Sequence, residues 1–249
     1  MANEFFDSGA QRAAKVRTLF DRIASRYDLI NDIQSFGLHR RWKKQVVRLA
    51  KPQPGDRALD VCCGTGDLAW QLALAGATVT GLDFSPEMLA HAARRKTVPA
   101  KVEFIQGDAL HLPFPDGNFA IATIGYGLRN LADWQAGLAE MARVLKPRGR
   151  LVVLEFGRPE STIWCSIYFA YLRLFVPLLG LVFCGRASAY SYILESLKHY
   201  PGQKAVAEKM RTFGLDTNNV NILGGAMSIT LGRKADQDLP KDSDIRQNR

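Results

Sequence analysis

The chain has 249 residues, 47% of them hydrophobic and 23% charged, with a formal net charge of +9. That composition excludes a disordered or fibrous chain and fits one large domain, or a domain with an extension. Its four cysteines, Cys62, Cys63, Cys165 and Cys184, show no C-x-x-C spacing and no neighbouring histidines, which argues against a zinc site or a disulfide framework and for reduced thiols.

Met1 to Ala14 is polar and has no apolar core of signal-peptide length, so a cytoplasmic protein is expected. Gln11–Asn31 and Leu38–Ala50 then read as two helices, an N-terminal cover (residues 1–51) over the open edge of a cleft. Within it, Arg40, Arg41, Lys43, Lys44, Arg48 and Lys51 have no acid in their own window. Such a run is a solvated helix face, a contact for an anionic membrane surface, or a nucleic-acid patch, and charge alone does not separate these. From residue 52, apolar runs alternate with helix-period segments, which predicts an α/β fold with a mainly parallel sheet. Strands are expected near Arg57–Cys62, Thr78–Asp83, Val102–Gln106, Ala120–Gly125 and Arg150–Phe156, with helices near Asp67–Leu74, Pro86–Lys96 and Asp133–Leu145. Ser85-Pro86 is a good helix start, because serine caps and proline is tolerated at the first helical position. Asn219–Leu223 and Ala226–Gly232, separated by Gly224-Gly225, read as an antiparallel hairpin closing the domain at about residue 233. Residues 234–249 are polar and aperiodic, the pattern of a disordered tail.

The segment Leu59-Asp60-Val61-Cys62-Cys63-Gly64-Thr65-Gly66-Asp67 is a strand running into a Gly-x-Gly turn, and Asp83 ends the next apolar run nineteen positions after Gly64. Strand, glycine turn, helix, strand and terminal acid form the nucleotide-binding half of a doubly wound sheet. A dinucleotide would set its pyrophosphate on the N-terminus of the helix after Gly66, where Asp67 already sits. S-adenosyl-L-methionine has no phosphate and carries cationic sulfonium and ammonium groups, so acids near the turn suit it. Gly64 and Gly66 permit close backbone approach, and Asp83 is placed to accept hydrogen bonds from both ribose hydroxyls. Asp60 is a candidate to position the turn or the cofactor's ammonium.

Between residues 160 and 200 lies an apolar insert, Ile163 to Cys184, with Trp164, Tyr168, Tyr171 and Phe175 spaced about a turn apart. It is long enough for a bilayer span of about 20 residues. Against a span, Arg173 would cost roughly 2.5–3.5 kcal/mol near the bilayer centre, and Pro177 is expected to break the helix. A buried helix pair and a lid facing lipid or a greasy substrate both remain open.

Four separated blocks resemble the ubiquinone/menaquinone biosynthesis C-methyltransferase family. They are Phe20-Asp21-Arg22-Ile23-Ala24-Ser25-Arg26-Tyr27-Asp28 continuing through Ser35-Phe36-Gly37-Leu38-His39-Arg40-Arg41-Trp42-Lys43; the glycine turn with Gly81-Leu82-Asp83-Phe84-Ser85-Pro86; Gly107-Asp108-Ala109 followed by Gly125-Tyr126-Gly127-Leu128-Arg129-Asn130; and Arg143-Val144-Leu145-Lys146-Pro147 leading to Leu154-Glu155-Phe156. The resemblance spans roughly Phe20 to Gly232. It implies a class I, Rossmann-like methyltransferase with a seven-stranded sheet, and S-adenosyl-L-methionine as cofactor. It implies transfer of a methyl group to a ring carbon of a prenylated quinol, most naturally demethylmenaquinol, at the cytoplasmic membrane face. Thr65 is implied as a cofactor contact, Asp108 and Ala109 as the adenine-side pair, and Gly125 as a weaker backbone contact where the family commonly has serine.

Arg129 and Asn130 follow the fourth strand, at the sheet edge where substrates bind. Arginine is a poor proton acceptor, with a pKa above about 12. Arg129 is therefore expected to stabilise the developing phenolate, with Asn130 orienting it; pairing of Arg129 with an acid to hold its loop is the plainer reading. Tyr27 and His39 are candidates to close over cofactor or substrate. A metal-free reaction is expected, and the partners expected are the quinol and an anionic membrane surface, with no nucleic acid; a homodimer is compatible with the same resemblance. A methyltransferase for another lipophilic molecule and a catalytically silent quinone-binding assembly subunit stand as alternatives. Nucleic-acid methylation lacks its N/D-P-P-Y/F or Pro-Cys segment.

Overall fold

A computed structural model of the protein describes residues 10–95, 101–184, 194, 196, 197 and 199–236. Seven strands form one sheet: β1 (Arg57–Val61), β2 (Thr78–Asp83), β3 (Val102–Gln106), β4 (Phe119–Gly125), β5 (Leu145–Phe156), β6 (Leu215–Ile222) and β7 (Met227–Lys234). Their spatial order is β3-β2-β1-β4-β5-β7-β6. The first five are parallel, and β7 runs antiparallel to both β5 and β6. This is the sheet of the class I methyltransferase fold. Strand order reverses between β1 and β4, so the loops leaving those strands flank a cleft at their carboxyl ends, where such sheets bind ligands.

The helices are α1 (Ala10–Ile23), α2 (Tyr27–Ser35), α3 (Leu38–Ala50), α4 (Asp67–Leu74), α5 (Pro86–Arg94), α6 (Trp134–Arg143), α7 (Thr162–Cys184) and α8 (Gln203–Thr212). The central strands are buried on both faces, and β4 is buried along nearly its whole length, which is why they read as continuous apolar runs. One face of the sheet packs against Val46 and Ala50 of α3 and Leu68 and Leu72 of α4. The other packs against Leu138 and Met141 of α6, Val206 and Met210 of α8, and Tyr168 and Leu172 of α7. Ser85 caps α5 by accepting from the Met88 amide at 3.1 Å, with Pro86 in the first turn. Asp133 caps α6 through the Gln135 and Ala136 amides.

Several boundaries differ from the sequence reading. Gln11–Asn31 is not one helix but two, separated by a 3-10 turn at Ala24–Arg26, where Arg26 leaves helical geometry (φ −116°, ψ 0°). The break redirects the chain so that Phe20 before it and Tyr27 after it meet edge to face, with ring centroids 6.0 Å apart. β5 begins at Leu145 rather than Arg150, because Leu145 already pairs with Phe119 ahead of an irregularity in the ladder. β6 starts at Leu215; as an edge strand it tolerates the polar run Thr217-Asn218-Asn219 that hid it from a hydrophobicity reading. The hairpin turns at Leu223–Gly225, where Gly224 and Gly225 take φ of 62° and 92°. Pro177 does not end α7, which continues to Cys184; proline removes one backbone donor, and the adjoining turns carry the helix past it. Among the described residues no helix is long and apolar enough to cross a membrane. Most of the expected tail, from residue 237, lies outside the described residues.

Candidate active site

The glycine turn leaves β1 through three residues of positive φ: Cys62 (53°), Gly64 (56°) and Gly66 (76°). The turn aims the Gly64 N–H at the end of β2, where it donates to Asp83 Oδ2 at 2.8 Å while the Ser85 N–H donates to Oδ1 at 2.9 Å. Burial nevertheless pushes the Asp83 carboxyl above its ordinary value, against the pull of these amides. Asp60, on β1, is 1% exposed. Its Oδ1 accepts from Thr123 Oγ at 2.7 Å, and its Oδ2 has no hydrogen-bond partner among the described residues. Burial raises this carboxyl to about 7. An unpartnered buried carboxylate oxygen beside the turn fits the ammonium donor of S-adenosyl-L-methionine.

The helix N-terminus after the turn is occupied in a way the sequence concealed. Lys43 of α3 reaches Asp67 at 2.8 Å, with Arg95 at 3.6 Å. Burial opposes ionisation of Asp67, but Lys43 outweighs it and holds the carboxyl below its usual range. Asp67 is therefore half of an ion pair rather than a bare charge, and a pyrophosphate would have to displace that pair. Arg40 is likewise paired, with Asp32, so two cations of the basic run are engaged within the protein.

Two cavities open above the sheet. The smaller, about 130 Å³, is lined by Gly64, Asp83, Asp108, Ala109, Gly125 and Asn130, and so gathers six of the residues singled out from sequence. Asp108 Oδ1 accepts from the Leu110 amide at 2.9 Å. Asp60, Thr65 and Gly66 are not in this lining. Thr65 Oγ instead donates to Asp28 of α2 at 2.8 Å, and Arg95 also pairs with Asp28. At Gly66 a Cβ would lie 2.8 Å from the Phe104 ring, so that glycine makes room for packing as well as for the turn.

The larger cavity, about 350 Å³, is walled by α1, α2, α3 and α7, with Ile30, Trp42, Tyr168 and Leu172 among its lining residues, and with Arg129 and His39 as its ionisable members apart from tyrosines. Arg129 is separated from Asn130 by this division, since it faces the larger cavity and Asn130 the smaller. The Arg129 side chain is 6% exposed and its Nη1 donates to Glu155 Oε1 and to the Tyr126 carbonyl, both at 2.6 Å. Its guanidinium also lies 4.7 Å from the Phe156 ring centroid. Asn130 Nδ2 donates to the same Tyr126 carbonyl at 3.2 Å. Phe20, Tyr27 and Tyr126 line both cavities and form the wall between them.

Sequence reasoning missed Glu155, Tyr126 and Gly127. Glu155 was visible as an acid ending an apolar strand, the same signal that marked Asp83. A Cβ at Gly127 would lie 2.6 Å from Cys62 Cβ, so the loops after β1 and β4 close on each other only with glycine there. Nothing in local sequence marked Lys43 as the partner of Asp67. Among the described residues no three His, Cys, Asp or Glu side chains are grouped to hold a metal ion.

Residues 8–234 match the model of the ubiE/COQ5 methyltransferase family. A demethylmenaquinone methyltransferase of Desulfitobacterium hafniense (strain Y51) is 40% identical over 234 residues, 91% of this chain and 92% of that relative. The ubiquinone/menaquinone biosynthesis C-methyltransferase UbiE of Ectopseudomonas mendocina (strain ymp) is 39% identical over 90% of this chain and 91% of its own. In structure, a SAM-dependent methyltransferase of Thermotoga maritima superposes with a TM-score of 0.62 at 21% identity, covering 87% of this chain and 99% of its own.

Proposed function

The chain belongs to the ubiE/COQ5 methyltransferase family, and on that premise we propose that it methylates a ring carbon of a prenylated quinol, demethylmenaquinol foremost, using S-adenosyl-L-methionine. The observation that carries this reading is the pair of cavities sharing one wall: an acid-rimmed pocket of nucleoside character beside an apolar cavity nearly three times its volume. Bound S-adenosyl-L-methionine supplies an electrophilic methyl carbon, whose bonding pair the sulfur retains as the methyl passes to a nucleophilic carbon. Asp83 would hold the ribose, Asp108 and Ala109 the adenine, and the free Oδ2 of Asp60 the ammonium. Arg129, fixed by Glu155 and by the Tyr126 carbonyl, is among the described residues the one cation in the lining of a mainly apolar cavity. There it favours the ionised form of a bound phenol. The wall of Phe20, Tyr27 and Tyr126 sets the approach of the two ligands, and α1–α3 act as the cover that keeps water out.

Phe36, Ile163, Ile167, Leu174 and Leu223 are exposed apolar side chains, and Phe36, Ile167 and Leu223 also line the large cavity. This supports entry of the isoprenoid tail from a lipid surface at the cytoplasmic face, with the exposed Arg41, Lys44 and Arg48 of α3 favouring anionic headgroups. Cosedimentation with anionic vesicles, lost in Ile167→Asp, checks that contact; a concentration-dependent dimer abolished by the same change would instead assign the patch to a second copy.

The decisive assay offers the protein labelled S-adenosyl-L-methionine and a demethylated, prenylated naphthoquinone, with and without dithionite. Label should enter the ring only under reduction. No transfer to a naphthoquinol or a benzoquinol would refute the substrate reading.

A further inference from the structure

A neutral quinol must lose a hydroxyl proton for its ring to become strongly nucleophilic, and the lining of the large cavity narrows what can take it. Arg129 is protonated at every physiological pH and only donates. Burial raises the hydroxyl pKa of Tyr27, Tyr126, Tyr168 and Tyr171, so each keeps its own proton. No Asp or Glu is in that lining. What remains among its described residues is His39 on α3, 4% exposed.

The ring of His39 is held in one protonation pattern. Its Nε2 lies 2.8 Å from Asp32 Oδ1 on α2. Arg40, also on α3, clasps the same carboxylate through Nε and Nη2 and holds it ionised, below the usual carboxylate range. An ionised Asp32 accepts, so Nε2 carries the hydrogen and Nδ1 the lone pair. Nδ1 is buried and has no hydrogen-bond partner among the described residues.

We propose that His39 is the proton acceptor for the quinol hydroxyl, taking the proton on Nδ1 while Asp32 steadies the resulting imidazolium through Nε2. This rests on the quinol reading above. The ring exchanges one hydrogen for the methyl group. Nδ1 takes the O–H proton, the C–H proton of the methylated ring restores the hydroxyl, and the imidazolium then releases its proton to solvent. Arg129 and His39 thus divide the work: one stabilises the oxyanion and the other removes the proton. Burial, together with Lys43 one turn along α3, holds the imidazole below its ordinary value, against the opposing pull of Asp32 and of Asp67 on α4. The base is consequently neutral and available at pH 7.

The test is His39→Gln, which keeps an amide donor for Asp32 but has no basic nitrogen. With dithionite-reduced, prenylated demethylnaphthoquinone, kcat should fall about 100-fold and lose the acid limb seen in the wild type, while cofactor affinity stays unchanged. Should the glutamine variant fold poorly, Asp32→Asn should move the acid limb of kcat to lower pH. A kcat within about threefold of wild type with the limb intact, or an acid limb that Asp32→Asn leaves in place, overturns the proposal. A wild type that methylates neither quinol refutes the substrate reading instead.

Discussion

The two cavities are built by different means. The smaller pocket is made largely of backbone and strand-end acids: a glycine turn after β1, Asp83 ending β2, Asp108 just past β3 and the loop after β4. Each of these sits where a strand meets its loop, and the parallel sheet brings the strand ends together. The larger cavity has almost no such local signature. Its walls are side chains of the consecutive helices α1, α2 and α3 and of α7, more than a hundred residues further along the chain, converging on Arg129 and Phe156. A pocket made by strand ends is fixed by local sequence and topology, whereas one made by packed helices is fixed only when the whole chain has folded.

The strongest way to break that contrast is at the Arg129–Glu155 pair. Removing one partner leaves an uncompensated buried charge, so Arg129→Ala should cost about 3–5 kcal/mol in denaturant unfolding as well as abolishing turnover. Loss of turnover in that variant alone therefore says little about chemistry. The double change Arg129→Met with Glu155→Gln should regain most of the stability and none of the activity. If the double variant turns over normally, Arg129 serves only to hold its loop.

Leu172→Ala comes next. It should destabilise the protein by about 2–5 kcal/mol as a large-to-small core change, and raise KM for a long-tailed quinol without altering cofactor binding by calorimetry. Conversely, Asp83→Ala should weaken cofactor binding by about 10–100-fold, the loss expected for hydrogen bonds to a charged group, and leave binding of a prenylated naphthol intact. A crossed pattern, with either change moving both affinities equally, would mean that the cavities act as one.

A gentler effect concerns pH. The folded carboxyl of Asp60 titrates near 7, above its unfolded value, so its contribution to stability is full at low pH and is lost as pH rises through 7. A cationic ammonium favours the ionised form. Cofactor affinity should therefore climb with pH up to about 7, by at most about tenfold per unit, and Asp60→Asn should flatten the slope. The smallest expected change is in Tyr171→Phe, which loses a 2.9 Å hydrogen bond from the tyrosine hydroxyl to the Gln34 carbonyl, a cost of about 1 kcal/mol.

The same contrast explains what could be read from sequence. The five parallel strands, the capped start of α5 and the glycine turn are local patterns, and each lies within a few residues of its expected place. The break at Ala24–Arg26 was missed because apolar period continues across it, and the start of β6 because an edge strand carries polar residues. Asp83 was legible from its position at a strand end, whereas Asp108 and Gly125 came only with the family resemblance. The partners that complete the site were not: Lys43 lies 24 residues from Asp67, Asp28 37 from Thr65, and Glu155 26 from Arg129. No spacing rule joins such pairs: packing of the cover on the sheet brings the first two within reach, and the pairing of β4 with β5 the third.

The cover itself is fastened unevenly. On the side of the glycine turn it is held by polar contacts: Asp21 with Ser85, Asp28 with Thr65 and Arg95, and Lys43 with Asp67. On the opposite side it meets α7 through the Phe36 ring stacked on Phe175, which itself stacks on Tyr171 of the same helix, and through one hydrogen bond from the Tyr171 hydroxyl to the Gln34 carbonyl. Ionic strength and detergent should therefore act on opposite ends of one lid: raised salt should loosen it over the smaller pocket, and a micelle over the larger cavity.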